Sequence, residues 1–333
     1  MATEMIPPAS APAFLAAHGW EGAEILPLAG DASFRRYFRV VAPGRRAVLM
    51  DAPPPHEDPR PFIHIAEHLS GLGFAAPVIL ATDLENGLVL LEDFGDDRVR
   101  EAIDAAPEVE GPIYADAVRL LARLHRHPAM DVPPYDRAQY QREAGLLTEW
   151  YCPAIGLDVD AAGYEAAWDE ALAGLYGADA RGVTVLRDYH AENIMLIDGK
   201  SGVDRLGLLD FQDALAGHPA YDLVSLLQDA RRDVSAAVEA EMLALYKAEA
   251  GVGDDFDTAY ALLGAQRNAK IVGIFMRLCK RDGKPRYLSY LPRVWAYLER
   301  DLAHPALAPV RAWFDANIPA HQRGAAWAAE AAA

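Results

Sequence analysis

The chain has 333 residues, more than one ordinary hydrophobic core holds, so about two lobes are expected; 52% hydrophobic and 24% charged residues exclude wholesale disorder and fibrous repeats. A formal charge of −18 argues against general nucleic-acid binding, although a local basic cluster or Mg2+ can reverse the sign inside one phosphate site. Cys152 and Cys279 are too few for a disulfide framework, no apolar run reaches the ~18 residues of a membrane span, and the N-terminus lacks a basic leader segment, so a cytoplasmic protein without a membrane partner is expected.

Residues 24–50 read as strand, loop, strand: EILPLAG runs into GDASFRRYFRVV, and AVLM follows the turn APGRR. Tyr37, Phe38, Val40, Val41, Val48 and Leu49 have the aromatic and β-branched character of a hairpin. Five prolines between Asp51 and Pro61 enforce a loop. FIHIAEHLSGLG then places Phe62, Ile65, Ala66 and Leu69 on one helical face, stopped near Gly71 and Gly73. APVILAT and GLVLLEDF read as strands around the turn DLENG.

After Phe94 the period changes to that of helices, over 112–127, Tyr164 to Leu175, Tyr221 to Arg231, Val238 to Glu249 and Thr258 to Leu278. One β-rich island interrupts them, in which NIMLID and VDRLGLLDF should pair across the glycine-rich turn DGKSG. The fold class expected is α+β, with a small β-rich N-lobe (1–93) and a larger, mainly helical C-lobe (94–333); the alanine-rich end at 324–333 reads as a frayed helix or a tail.

The chemistry concentrates in this island. Asp188 and Asn193 lie five apart just before one strand, and Asp210 ends the next. A hairpin brings its outer ends together, so Asp210 should return towards Asp188 and Asn193. That would give a base beside two hard oxygen ligands, with room for Mg2+ and a polyphosphate. Asp188 is the expected catalytic base, and Asn193 and Asp210 the expected metal ligands. Acids at strand ends are common; an acid–amide pair, strand, turn, strand and terminal DF in succession are not.

With RDYHAEN as a catalytic loop and LLDFQDA as a metal-binding strand end, the chain resembles the aminoglycoside phosphotransferase and choline kinase superfamily, relatives of protein kinases. The resemblance implies a bilobal protein-kinase-like fold, ATP as phosphoryl donor and Mg2+. It extends to GHPAYDLVSLLQDAR, where Asp222 matches an acid that braces the catalytic loop, although a first-turn Asp is also favoured by the helix dipole. GDASFRRYFRV stands where the nucleotide-covering hairpin would be, with Gly30 for the bend and Ser33 offering backbone N–H to phosphate. Glu92, Asp93 and Phe94 stand at the hinge, where backbone groups meet an adenine edge.

The family's third-strand lysine is missing: the matching run AVLMDAP offers Met50, or Leu49 or Asp51 if the alignment shifts by one residue, and never lysine. Arg35 or Arg36 is the candidate replacement, because arginine grips phosphate oxygens in a fork. Together with Arg39 they otherwise read as a solvated strand face. Without the lysine, the role of helix-borne Glu67 as its partner is undefined.

Taken over residues 25–315, the motif set resembles one branch, the AmgK-type kinases. That branch implies phosphorylation of the anomeric hydroxyl of N-acetylmuramate and N-acetylglucosamine in cell-wall recycling, with a small-molecule sugar as substrate. The expected acceptor-side cluster is Gln266, Arg267, Asn268 and Lys270, with Arg267 or Lys270 answering a lactyl carboxylate; the same residues also read as surface charge on a helix start. His190 and His218 fit loop-orienting hydrogen bonds better than metal ligation. Two alternatives stay open, an aminoglycoside- or choline-type kinase and a nucleotide-binding pseudokinase, and the sequence leaves the oligomeric state open.

Overall fold

A computed structural model describes residues 5–30, 34–175 and 182–324; the alanine-rich end lies almost wholly outside them. The chain groups into two compact units, Met1–Ala105 with Glu192–Asp213, and Ala106–Ala191 with Ala214–Ala333. The first opens with α1 (Ala11–Ala17), β1 (Glu24–Gly30), β2 (Arg36–Ala42), β3 (Arg45–Asp51), α2 (Arg60–Gly71), β4 (Ile79–Asp83), β5 (Leu88–Leu91) and α3 (Val99–Ala105). The chain passes through the second as α4 (Glu110–Leu124), α5 (Arg137–Ala144), α6 (Cys152–Ala154), α7 (Ala161–Leu172) and β6 (Val183–Val185). It returns to the first for β7 (Ile194–Leu196) and β8 (Leu206–Leu208). It ends in the second with β9 (Leu215–Gly217), α8 (Ala220–Leu227), α9 (Ala236–Ala250), α10 (Asp255–Lys280), α11 (Leu291–Leu302) and α12 (Ala308–Asn317).

In the first unit five antiparallel strands run in the order β1-β2-β3-β5-β4. The β2–β3 hairpin turns on Pro43 and Gly44 between the paired Ala42 and Arg45; proline presets the first turn position and Gly44 takes φ 76° at the second. Strand alternation divides the sheet into two faces. Phe38, Val40, Ala47, Leu49, Leu88 and Leu90 pack under Phe14, Leu15 and Trp20 from α1 and the turn after it. Each such large side chain contributes ~1.5–3 kcal/mol. Tyr37, Val48 and Leu91 take the other face, with Val48 paired to Leu91. The β1–β2 ladder slips between Pro27 and Ala29, because proline has no N–H to donate, and the bulge frees Leu28 for that second face. The β7–β8 hairpin forms as expected, Ile194 opposite Leu208. It joins this unit through bridges from Gly207 to Ala75 and Met195 to Arg98. Phe94 lies so close to Gly207 that a Cβ there would strike its ring.

The second unit is built around α10, whose 26 residues pack against α8, α11 and the π-turn Leu147–Tyr151. Gly273 lets α10 approach the Leu146 backbone closer than any side chain would allow. The helix expected over 221–231 stops at Leu227, since Gln228 leaves the helical path and spends its side chain on Glu239, Asp301 and Asn268. α9 is fixed at both ends: the Ser235 side chain accepts from the Val238 N–H, and Gly251 closes it at φ 67°. Among the described residues no helix is long and apolar enough to cross a membrane.

Candidate active site

The second face of the sheet forms one wall of a cavity of about 480 Å3, and every residue lining it belongs to the first unit. Leu28, Tyr37, Val48, Phe62 and Leu91 make its apolar part, Glu92, Asp93 and Phe94 its rim, and Asn193 and Asp210 its polar end. An apolar slot with polar groups at one end suits a flat base with a charged tail.

The hairpin positions the polar end. Asn193 precedes β7, and Leu209, just past β8, donates its N–H to the Asn193 carbonyl at 3.0 Å, which brings the two side chains together. Asn193 Nδ2 donates to Asp210 Oδ2 at 3.2 Å, and Gln212 Nε2 donates to Oδ1 at 2.8 Å. Asp210 has φ 58°, a left-handed conformation rare outside glycine, and the next ring, Phe211, stacks on Phe62 at 5.0 Å. The packed phenylalanine and the strained aspartate therefore fix each other. A carboxylate and an amide oxygen are the hard donors Mg2+ prefers, and they leave its other positions to water and phosphate. Among the described residues no three His, Cys, Asp or Glu side chains gather as a metal cage, so a metal here would depend on Asn193, Asp210 and non-protein oxygens.

The three arginines of the covering hairpin separate. Arg35 is buried, with Nη2 3.6 Å from Asp210 Oδ1. Arg36 turns away: its Nε donates to Asp51 Oδ2 at 2.9 Å and its Nη1 to the Ile6 carbonyl at 3.0 Å. Arg39, far from a solvated ornament, ties the rim, with Nε 2.8 Å from Asp93, Nη1 2.7 Å from Asp96 and Nη2 3.0 Å from the Gly95 carbonyl. Gly30 ends β1 opposite Arg36, whereas Ser33 lies outside the described residues. Met50, expected at the lysine position, is fully buried on the face of β3 that carries Val48. Glu67 is exposed on α2. The Glu92 N–H donates to the Val78 carbonyl at 2.9 Å, so an adenine edge would have to use the Glu92 carbonyl and the Phe94 N–H.

The second unit carries Asp188 on the loop after β6. Asp222 in the first turn of α8 accepts from the Leu186 N–H at 2.7 Å and the Arg187 N–H at 2.8 Å, the bracing expected of it. Burial pushes its carboxyl up to about 7, against the pull of those two N–H donors and the Arg267 charge. Tyr189 donates to the Ala117 carbonyl at 2.9 Å, and His190 meets Arg231 at 3.1 Å. His218 accepts from the Ala220 N–H, and burial lowers its pKa to about 4.

The expected acceptor cluster occupies the interior side of α10. Gln266 and Asn268 are fully buried, bonded to the Tyr140 carbonyl and to Gln228, and Arg267 is bonded to Ser225. Lys270 pairs with Glu143 at 3.0 Å and with the Tyr221 hydroxyl at 3.1 Å. Glu143, unmarked in the sequence, also binds Arg187 and the Tyr135 hydroxyl. Burial alone would raise its pKa, but Lys270 and Arg187 outweigh it and hold the carboxyl down at about 2.

A five-stranded antiparallel sheet with its cavity and the Asn193–Asp210 hairpin, and a helical unit whose acid loop is braced by Asp222, define a protein-kinase-like phosphotransferase fold. The chain belongs to the phosphotransferase enzyme family, whose profile matches residues 24–262. It is 36% identical to the N-acetylmuramate/N-acetylglucosamine kinase of Caulobacter vibrioides over 93% of this chain and 96% of that protein. It is 39% identical to the protein of the same name from Pseudomonas aeruginosa, over 89% and 90%. A putative aminoglycoside phosphotransferase from Ralstonia eutropha superposes with TM-score 0.59 at 17% identity, over 93% of this chain and 98% of that one. The choline kinase of Streptococcus pneumoniae does so with TM-score 0.59 at 14% identity, over 86% and 93%. These last two share the fold.

Proposed function

We propose that this phosphotransferase moves the terminal phosphoryl group of ATP to the anomeric C1 hydroxyl of N-acetylmuramate and N-acetylglucosamine, in the cytoplasm, as a step of cell-wall sugar recycling. The observation that carries the reading is the match, over nearly the whole length of both chains, to kinases named for those two sugars. The cavity supports it, having an apolar slot for the base and Asn193 with Asp210 where the phosphates would lie. Asp188 orients the C1 hydroxyl and accepts its proton as the bond to phosphorus forms. Asn193 and Asp210 hold Mg2+, which when bound neutralises charge on the transferring phosphates. Arg35 takes the place of the missing lysine on the phosphates, Gly30 and Ser33 cover them, and Glu92, Asp93 and Phe94 frame the base. Of the acceptor-side residues, Lys270 is the candidate for the lactyl carboxylate; Gln266, Arg267 and Asn268 shape the helix behind it. In this scheme 1–93 covers the nucleotide, and 94–333 carries the catalytic loop, the metal ligands and the acceptor site.

The test is transfer of labelled phosphate from ATP to the two sugars, to aminoglycosides and to choline. Label on the N-acetyl sugars, in a product that no longer reacts as a reducing sugar, is expected. Label on aminoglycosides or choline, or a sugar phosphate that is still reducing, would overturn the proposal. Nucleotide binding with no acceptor phosphorylated would favour a pseudokinase.

A further inference from the structure

Arg187, the residue before Asp188, has φ 70°, a left-handed conformation that a long side chain rarely adopts. Such a conformation persists only where its surroundings over-determine it. Here α8 holds the Arg187 backbone with two side chains three residues apart, and so on one helical face. Asp222 accepts its N–H at 2.8 Å, and Ser225 Oγ donates to its carbonyl at 3.0 Å. Both side chains are fully buried. A serine hydroxyl spends its single proton on that carbonyl and so needs a donor for its lone pairs. Arg267 supplies it: Nη2 donates to Ser225 Oγ at 2.7 Å from α10. Arg267 is 4% exposed, and its charge favours the ionised form of Asp222. One guanidinium thus serves both arms of the clamp, the serine arm by a hydrogen bond and the aspartate arm by charge.

We propose that Arg267 is a positioning residue for phosphoryl transfer, acting through Ser225 and Asp222 to hold the Arg187 peptide from which the Asp188 carboxylate projects. The inference rests on the reading of Asp188 as the base, and it moves Arg267 from substrate contact to loop support. Its mark is therefore on kcat and not on recognition of the sugar.

Two measurements on Arg267→Met, Arg267→Lys and Ser225→Ala test this separately. Hydrogen exchange over residues 183–191 reads the clamp whatever the substrate is. Exchange there should quicken in Arg267→Met and Ser225→Ala and be partly restored in Arg267→Lys; unchanged exchange in the folded variants overturns the proposal. Steady-state kinetics read the consequence. In Arg267→Met kcat should fall about ten- to a hundredfold, the scale of a lost charge-assisted contact and a misplaced base, with KM for both N-acetyl sugars within a few-fold of wild type. In an Asp188→Asn background the same change should add little, since two residues acting through one group are not additive. A selective rise in KM for N-acetylmuramate, or a lowered melting temperature with kcat unchanged, overturns the positioning role. Should Arg267→Met fail to fold, Ser225→Ala with unchanged kcat does the same. An Asp188→Asn enzyme with full turnover would instead refute the base, leaving the exchange result to judge the clamp.

Discussion

Replacing Arg35 and Arg36 one at a time should damage different properties of the protein. Arg35 has a side chain 10% exposed and lies 3.6 Å from the Asp210 carboxylate at the polar end of the cavity. A charge-assisted contact from it to nucleotide phosphate is worth roughly 1.5–3 kcal/mol, so Arg35→Ala should lower kcat/KM for ATP by about ten- to two-hundredfold. Arg36 is bonded to Asp51, whose side chain is 2% exposed, while its own is 38% exposed. Removing it strands a buried carboxylate whose lost partner was a partly exposed cation. That lies between a surface pair, worth at most ~1 kcal/mol, and a fully buried pair, worth ~3–5 kcal/mol to break. Arg36→Ala should therefore cost about 1–3 kcal/mol of stability and lower the melting temperature by roughly 2–10 °C, with kcat/KM for ATP changed less than threefold per folded molecule. Thermal melts and ATP-dependent initial rates on both variants decide the matter. A silent Arg35→Ala, or an Arg36→Ala that loses ATP use without losing stability, would refute the division of labour read from the hairpin.

Asp188→Asn should leave nucleotide affinity near wild type while kcat drops by roughly 10²–10⁴, because a base acts in the transition state; unchanged turnover in single-turnover assays would exclude it. Asp210→Ala should shift the Mg2+ dependence of the rate to much higher concentration, and an unshifted titration would make Asp210 structural. Gly87 has φ 72° beside the Ala52 carbonyl, where a Cβ would overlap that oxygen. Gly87→Ala should thus cost roughly 2 kcal/mol or more, read as a lower urea midpoint. Burial drives His125 down to about 3 and His218 to about 4 from 6.5. Both are bases that the fold keeps neutral, so their stabilisation is complete above pH 6.5. It is lost as pH falls towards 4 and 3, by up to ~1.4 kcal/mol per unit and group. Asp222 and Asp301, held up at about 7 and about 8 by burial, act in the opposite sense over the same window, so the histidine effect is read as a difference: the urea midpoint should fall more steeply with pH in wild type than in His125→Gln, and identical slopes would contradict the buried neutral state.

Local rules carried much of this architecture. The β2–β3 and β7–β8 hairpins, α2 and the order of β4 and β5 follow from period-2 and period-3.6 patterns with turn residues between them. Helices α1, α3, α5, α11 and α12 did not stand out; Gly283, at φ 63°, separates α10 from α11. The β6–β9 pair was invisible because Val183 and Gly217 meet across the whole intervening hairpin. The contrast is sharper at the site. Asn193 and Asp210 could be paired from the sequence because a hairpin brings its outer ends together, and their side chains meet at 3.2 Å; Asp188 is marked only by its spacing before the hairpin. The pairings of Arg39 with Asp93 and of Glu143 with Lys270 depend on distant segments, and no local pattern marks them. Arg267 shows the converse hazard: a charge taken for part of a helix start reads as surface or substrate contact, and only its place in the middle of α10, its burial and its bond to Ser225 give it another role.

The first unit is discontinuous in sequence, and this bears on the order in which the protein is made. Residues 1–105 supply the sheet, α2 and the rim, but Asn193, Asp210 and Phe211 belong to the segment 192–213. On the ribosome the sheet emerges first, with Phe62 still lacking the ring it stacks on and the cavity open at its polar end. Elongation through 106–191 takes roughly 4–17 s at about 5–20 residues per second before the missing hairpin appears. A nascent chain halted before residue 192 therefore has a sheet but an incomplete cavity, and a ligand of that cavity cannot stabilise the unit by mass action until the hairpin has docked.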